Sequence, residues 1–483
     1  MFIKLLEKTK NIKENRIFSN SITYLLFSIS TQVIGLIFTS ILTSNLSVSD
    51  YGEYSLIIST QSILSIALTL SIVSGFSRFY NEVESKDKLR NSVINFLFLF
   101  SLSVLPLIFL FSSSISLLLL GGIEGGSEYI VEISILAVII GITAVYETSY
   151  SMEFQAIKAC LINFLSVTLR ILVVFYFVSF GTIDIDLIIN TQIMISLSIL
   201  LVLFILHIKR FKLEICPVVL KPVLKFGLGL MFGSVCVWII TLIDRRFLAE
   251  YSGFEEVAIY SLASTVGMLI TPVFLIPFRK VFTPFKLKVY SQDGAKLKIK
   301  SFYDIYCFLG IFCVLGLSLY AKLFVSLLGN SDYTFAINII PLIAISYFLW
   351  GLNEFYGIGL IISNKSFVNS SLVAVTAILN IILNFILIPK YGVTGAAFST
   401  IISYLSTNVL YFRYSRKYYN TELTFFAWFK FITMYLLIYS VYLGLDINIV
   451  SELFINLLLI VSYVVISYKL KFIGKEQFLN IKL

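Results

Sequence analysis

The stretch Ile378–Thr400, ILNIILNFILIPKYGVTGAAFST, decides how this chain is to be read. Asn380 and Asn384 stand one helical turn apart in an otherwise apolar run, so both carboxamides fall on one face. The run stops at Pro389, Lys390, Tyr391 and Gly392 and then turns apolar again. An apolar segment of about 20 residues crosses a bilayer core. Two such segments joined by a proline–glycine turn read as consecutive membrane spans.

The pattern recurs along the whole chain. Of 483 residues 58% are hydrophobic and only 13% charged, and the mean hydropathy is +0.95. A soluble core of this size could not hide that much apolar surface, so the expected fold is an all-α polytopic membrane protein. Apolar runs between charged or turn-rich breaks predict fourteen transmembrane helices. They lie near 18–42, 54–77, 92–119, 128–151, 160–180, 186–208, 226–249, 256–278, 302–327, 333–362, 367–388, 394–412, 424–444 and 449–468. No polar segment is long enough for a soluble catalytic domain.

Charge sets the expected direction. With the N-terminus on the cytoplasmic side, all but six of the 36 Lys and Arg fall in cytoplasmic segments. The six are Arg170, Arg245, Arg246, Lys322, Lys390 and Lys430. The opposite loops are mostly acidic or neutral, with Asp50, Glu53, Glu124, Glu128, Asp184, Asp186, Glu255, Glu256, Asp332 and Asp446. This asymmetry predicts a multi-pass protein with both termini in the cytoplasm. It also makes the net charge of +9 a matter of topology rather than of nucleic-acid binding. The basic N-terminal segment lacks the short apolar core and cleavage site of a signal peptide. Cys160, Cys216, Cys236, Cys307 and Cys313 have no metal-ligand spacing, and His207 is the single histidine, so no metal site is expected.

A duplication is visible. Asp50–Leu56 (DYGEYSL) matches Glu256–Leu262 (EVAIYSL) at a spacing of 206 residues. The same offset plus one sets Glu147 over Glu354 and Lys158 over Lys365. The expected organisation is two six-helix lobes, 1–208 and 209–420, as a parallel repeat enclosing a mid-membrane cavity. An extra helix pair and tail, 421–483, follows. Pro106, Pro272 and Pro341 fall within or near spans, as static kinks or as hinges.

The pattern of Asn380, Asn384, Pro389, Gly392 and Gly395 followed by two alanines resembles bacterial polysaccharide flippases of the Wzx type, in the multidrug/oligosaccharidyl-lipid/polysaccharide exporter superfamily. Asp244–Leu248 (DRRFL), Ile259–Ala263 (IYSLA) and Ser49–Ser55 (SDYGEYS) are similar to that family's seventh-span end, following loop and first external loop. The resemblance implies a bacterial plasma (inner) membrane flippase rather than an enzyme. Its cargo would be undecaprenyl-pyrophosphate-linked oligosaccharide, moved from the cytoplasmic to the external leaflet by alternating access. It implies a role in O-antigen, lipopolysaccharide or capsule biosynthesis, coupling to a proton or sodium gradient, and no cofactor. Besides cargo and membrane lipids, a polysaccharide polymerase and a chain-length regulator are the implied partners.

Ionisable groups inside spans cost about 2.5–3.5 kcal/mol each on insertion scales, which makes them functional candidates. Arg170, deep in span five, either meets substrate phosphate or pairs with a carboxylate such as Glu147. In Asp244-Arg245-Arg246 one arginine can face the cavity while the other reaches the interface, or the pair can engage Asp244. Glu147 and Glu354 are the candidates for ion coupling, with Asp244, or else form plain ion pairs. Tyr146 and Tyr150 flank the first glutamate, and Trp350 and Tyr356 the second. Gln32 is the polar candidate on span one. Asn380 and Asn384 serve either as interhelical packing groups or as cavity groups, the packing role being favoured.

Two rivals come from the same superfamily. A cation-coupled multidrug exporter is expected to carry an acidic residue in span one, and a lipid II flippase arginines there; 22–42 has neither. A membrane polymerase, glycosyltransferase or acyltransferase is disfavoured by short external loops and the lack of a histidine cluster.

Overall fold

A computed structural model describes all residues except Met1, Thr182, Asn364, 446–448, 475–476 and 478–483. Asp446 and the tail residues Lys475 and Lys482, which entered the charge argument, therefore lie outside the described residues. The described residues form helices and connecting turns, with no strand among them.

In chain order the helices are α1 (Phe2–Asn45), α2 (Val48–Thr69), α3 (Ile72–Phe79), α4 (Lys86–Leu110), α5 (Ser112–Leu120), α6 (Gly126–Met152), α7 (Ala156–Val178), α8 (Ile185–His207) and α9 (Pro217–Tyr251). Then come α10 (Phe254–Gly267), α11 (Ile276–Val289), α12 (Ala295–Leu319), α13 (Ala321–Leu328), α14 (Ala336–Gly351), α15 (Asn353–Tyr356) and α16 (Ile358–Ile362). The last three are α17 (Ser366–Ser415), α18 (Phe429–Leu443) and α19 (Ile449–Lys469). Several starts follow from local chemistry. Ser47, Ser85 and Asp184 each accept a hydrogen bond from a backbone N–H three residues on, satisfying a donor the first turn leaves free.

Among the described residues twelve helices are long and apolar enough to cross a membrane, or thirteen if the bent pair α2 and α3, which meet at 53°, is one span. The 50-residue α17 is not one rod. At Gly392 the backbone takes φ 51° and ψ −133°, and the chain reverses there. Thr376 and Thr407 share a hydrogen bond, Asn380 donates to Ser403, and Ser399 donates to Asn384. Each pair is one turn from the next in opposite directions along the chain, which is the register of two antiparallel arms. The expected count of fourteen depends on separating these arms as well as joining α2 to α3.

The chain divides into two compact units, Met1–Trp238 and Ile239–Leu483. The division lies inside α9, beyond the 208/209 boundary expected from loops. Early α9 packs with the first unit: Leu220 and Val223 join Ile72, Phe76, Val93 and Val145 in its core, and Trp238 Nε1 donates to Ser59 O. In that unit α6 is central, contacting α2, α4, α7 and α8, while α1 lies along α7.

In the second unit α14 contacts α10, α12 and α17, and α12 carries α18 and α19. The last two helices are anchored by polar contacts. Asn456 donates to Leu319 O and Tyr463 to Phe308 O, while Glu452 takes an ion pair from Lys322 and a hydrogen bond from Tyr442. Pro106 sits in α4, whose end at Leu110 is followed by a separate short helix; Pro272 lies in a wide π-helical turn, Thr271–Leu275, leading into α11; Pro341 lies within α14.

Candidate functional site

Four helices of the first unit, α1, α6, α7 and α8, each turn a polar face inward. On α7 the face is Asn163, Ser166 and Arg170; on α6 it is Thr143 and Glu147; on α8 it is Gln192 and Ser196. Spacings of three, four and seven place each set on one helical stripe. These stripes enclose a cavity of about 190 Å³, whose apolar wall includes Ile140, Ile162 and Ile199. A second cavity of about 210 Å³ is lined by Tyr24, Phe27, Ser28, Thr31 and Gln32 of α1, with Cys160. Glu147 and Asn163 line both, so the two chambers share a wall.

The electrostatics are unusual for a membrane helix bundle. Arg170 and Glu147 line the same chamber, yet among the described residues neither takes part in an ion pair. The Arg170 guanidinium lies over the Phe38 ring at 4.7 Å, and its Nε is buried without a hydrogen-bond partner among the described residues. Gln192 Oε1 is likewise buried and unpartnered. The structure thus sets Glu147 beside Arg170 in one chamber and beside Gln32 in the other. Asn163, Ser166, Gln192, Ser196 and the aromatic pair Tyr24 and Phe27 join them. Sequence reading missed these, although polar residues at helical spacing within apolar spans were the available signal.

The other candidates lie in the second unit. Asp244 is 1% exposed; Tyr260 donates its hydroxyl to Oδ2, while Oδ1 is buried with no partner among the described residues. Arg245 donates to Ser261 and lies over the Tyr260 ring, and Arg246 pairs with Glu250 one turn along α9 at 2.8 Å. The Asp244 and Arg245 contacts fasten the end of α9 to α10, while the Arg246 pair stays within α9.

Glu354 differs from Glu147, its counterpart in the repeat. Its two oxygens meet Arg279 at 3.0 Å and Lys286 at 2.7 Å. Lys286 is 1% exposed and also reaches the Glu354 carbonyl. Around the triad Phe278, Phe282, Phe302, Tyr306 and Phe355 pack edge-on and tilted. The aromatics flanking the glutamates are engaged elsewhere. Tyr146 and Tyr150 lie against His207, Trp350 against Tyr404, and Tyr356 bonds Tyr303 and Phe425.

The hairpin motif is packed shut. Asn380 and Asn384 are fully buried, and Asn384 donates to Asn380 as well as accepting from Ser399. Pro389 and Gly392 mark the turn, where Glu256 accepts from Val393 N–H at 2.8 Å. A side chain on Gly392 would strike that carboxylate, and one on Gly395 would strike the Leu387 carbonyl of the opposite arm.

Relatives agree with this architecture. The capsular polysaccharide biosynthesis protein CapF of Staphylococcus aureus is 29% identical over 203 residues, 41% of this chain and 50% of that protein. The match thus spans half the relative's length. Among solved structures, the lipid II flippase MurJ in an inward closed conformation superposes with a TM-score of 0.74 at 18% identity, covering 93% of this chain and 99% of that one. An inward-facing multidrug resistance transporter of the MATE family, in the MOP superfamily, gives 0.62 at 16% identity, covering 80% and 94%. At these identities the likeness is one of fold. With residues 17–288, more than half its length, matching the polysaccharide biosynthesis protein family, the chain belongs to that family and carries the fold of MOP-superfamily transporters.

Proposed function

We propose that the protein is a flippase. It carries undecaprenyl-pyrophosphate-linked oligosaccharide repeat units from the cytoplasmic to the external leaflet of the bacterial plasma membrane, for assembly of a surface polysaccharide such as a capsule. The supporting observation is the pair of polar chambers among apolar helices that hold Arg170 and Glu147, neither in an ion pair among the described residues. Charges inside spans cost a few kcal/mol each and persist where they face a cavity that polar cargo or ions enter. Family membership supplies the polysaccharide context.

The two halves of the chain, as parallel repeats, work by alternating access with both termini in the cytoplasm. Coupling to a proton or sodium gradient falls to Glu147, Asp244 and Glu354. The Oδ1 of Asp244, buried without a partner among the described residues, supports its place in that set. Arg245 and Arg246 are cargo-facing groups of the second lobe, alongside the structural contacts they make. A polymerase and a chain-length regulator receive the exported units.

Deleting the gene tests this reading. Surface polysaccharide should vanish while lipid-linked repeat units accumulate on the inner leaflet, and a plasmid copy should restore both. Unchanged surface polysaccharide in the deletion strain would sink the proposal.

A further inference from the structure

We infer that the two chambers of the first unit form a subsite for the sugar portion of the cargo, selective for a ring that bears a carboxylate, and that Arg170 reads that carboxylate rather than the pyrophosphate. This rests on the flippase reading and narrows its substrate class.

Size comes first. Chambers of about 190 and 210 Å³ are each smaller than the ~300–1,000 Å³ of sites for drug-sized ligands. That suits one sugar ring per chamber, joined across the wall where Glu147 and Asn163 stand.

Charge decides between carboxylate and pyrophosphate. The linings of both chambers hold one cation, Arg170, and one anion, Glu147. Arg170 and Glu147 cancel, so a pyrophosphate diester would leave two uncompensated negative charges in a poorly screened interior and a sugar carboxylate only one. A single carboxylate matches a single guanidinium, and the planar fork suits it through two parallel hydrogen bonds. The Phe38 ring at 4.7 Å supports the guanidinium from one side and leaves its Nε unclaimed. A neutral ring in the same place would leave Arg170 desolvated and unpaired, which is the source of discrimination.

The remaining groups match the rest of a sugar. Glu147 and the unpartnered Gln192 Oε1 accept from ring hydroxyls or an acetamido N–H, and Asn163 offers both donor and acceptor. Tyr24 and Phe27 provide apolar faces in the neighbouring chamber for the second ring.

The test uses purified full-length protein and three probes: methyl glucuronide, methyl glucoside and inorganic pyrophosphate. Methyl glucuronide at about ten times its Kd should raise the unfolding midpoint by roughly 1–2 °C, and methyl glucoside at the same concentration should not. Arg170→Gln should abolish the rise, and Gln192→Leu, which keeps the cation, should weaken glucuronide binding about tenfold. If Arg170→Gln does not yield folded protein, Arg170→Lys replaces it, with a loss of about tenfold expected from the missing fork. Three results overturn the inference: stabilisation by pyrophosphate that depends on Arg170, equal stabilisation by glucoside and glucuronide, or no stabilisation by either sugar. The flippase reading is judged separately by the deletion phenotype, which these binding outcomes do not affect.

Discussion

Glu147 and Arg170 line one chamber of the first unit without forming an ion pair with each other. A structural salt bridge between them would have explained both residues and left nothing for cargo. Their separation means that each charge lost should change transport more than folding. Glu147→Gln is expected to lower export at least tenfold, about 1.4 kcal/mol in barrier terms. The unfolding midpoint of the purified protein should stay within about 2 °C. Surface polysaccharide quantified in a complemented deletion strain, together with thermal melts, checks this; wild-type export would remove Glu147 from the mechanism.

Glu354 should behave in the opposite way. Its removal leaves Lys286 buried and Arg279 without their shared carboxylate. Breaking such a buried pair costs about 3–5 kcal/mol. Glu354→Gln should therefore reduce both the unfolding midpoint and export, and adding Lys286→Met should restore much of the midpoint. Export is the discriminating measurement in the double variant: recovery along with stability assigns Glu354 to scaffolding and ends its coupling role.

Asp244→Asn separates charge from hydrogen bonding at the α9–α10 contact. The amide oxygen can still accept from Tyr260, so the second unit should lose less than about 1.5 kcal/mol of stability. Removal of the charge should reduce gradient-driven transport at least tenfold. Uptake of a lipid-linked oligosaccharide into proteoliposomes with and without an imposed proton or sodium gradient reports this, and an unchanged gradient response would exclude Asp244.

The hairpin should be sensitive to packing and insensitive to cargo. Asn384→Ala removes the acceptor of Ser399 and a donor to Asn380, at about 0.6–1.7 kcal/mol in a membrane bundle. Gly392→Val should be worse, because it combines a positive φ with a collision against Glu256. Thermal melts should rank Gly392→Val below Asn384→Ala, while export per folded molecule stays near wild type. A loss of export by Asn384→Ala at full stability would instead make that residue a cavity group.

Apolar run length and the placement of Lys and Arg were sufficient to read a polytopic all-α protein, because a membrane imposes both locally along the chain. The motif from Asn380 to Gly395 was equally legible: one-turn spacing, a proline and a glycine mark two packed arms whatever surrounds them. What the carboxylates do was not legible in the same way. Glu147 and Glu354 occupy matching positions in the duplication and sit in similar apolar company. Only the tertiary structure made one an unpaired wall residue and the other the centre of a triad, since Arg279 and Lys286 reach Glu354 from a helix 68 residues away in the chain at the latter. The chambers were hidden for the same reason. Each helix contributes only two or three polar side chains, and it is the rotation of α1, α6, α7 and α8 about their axes that turns these stripes toward one another.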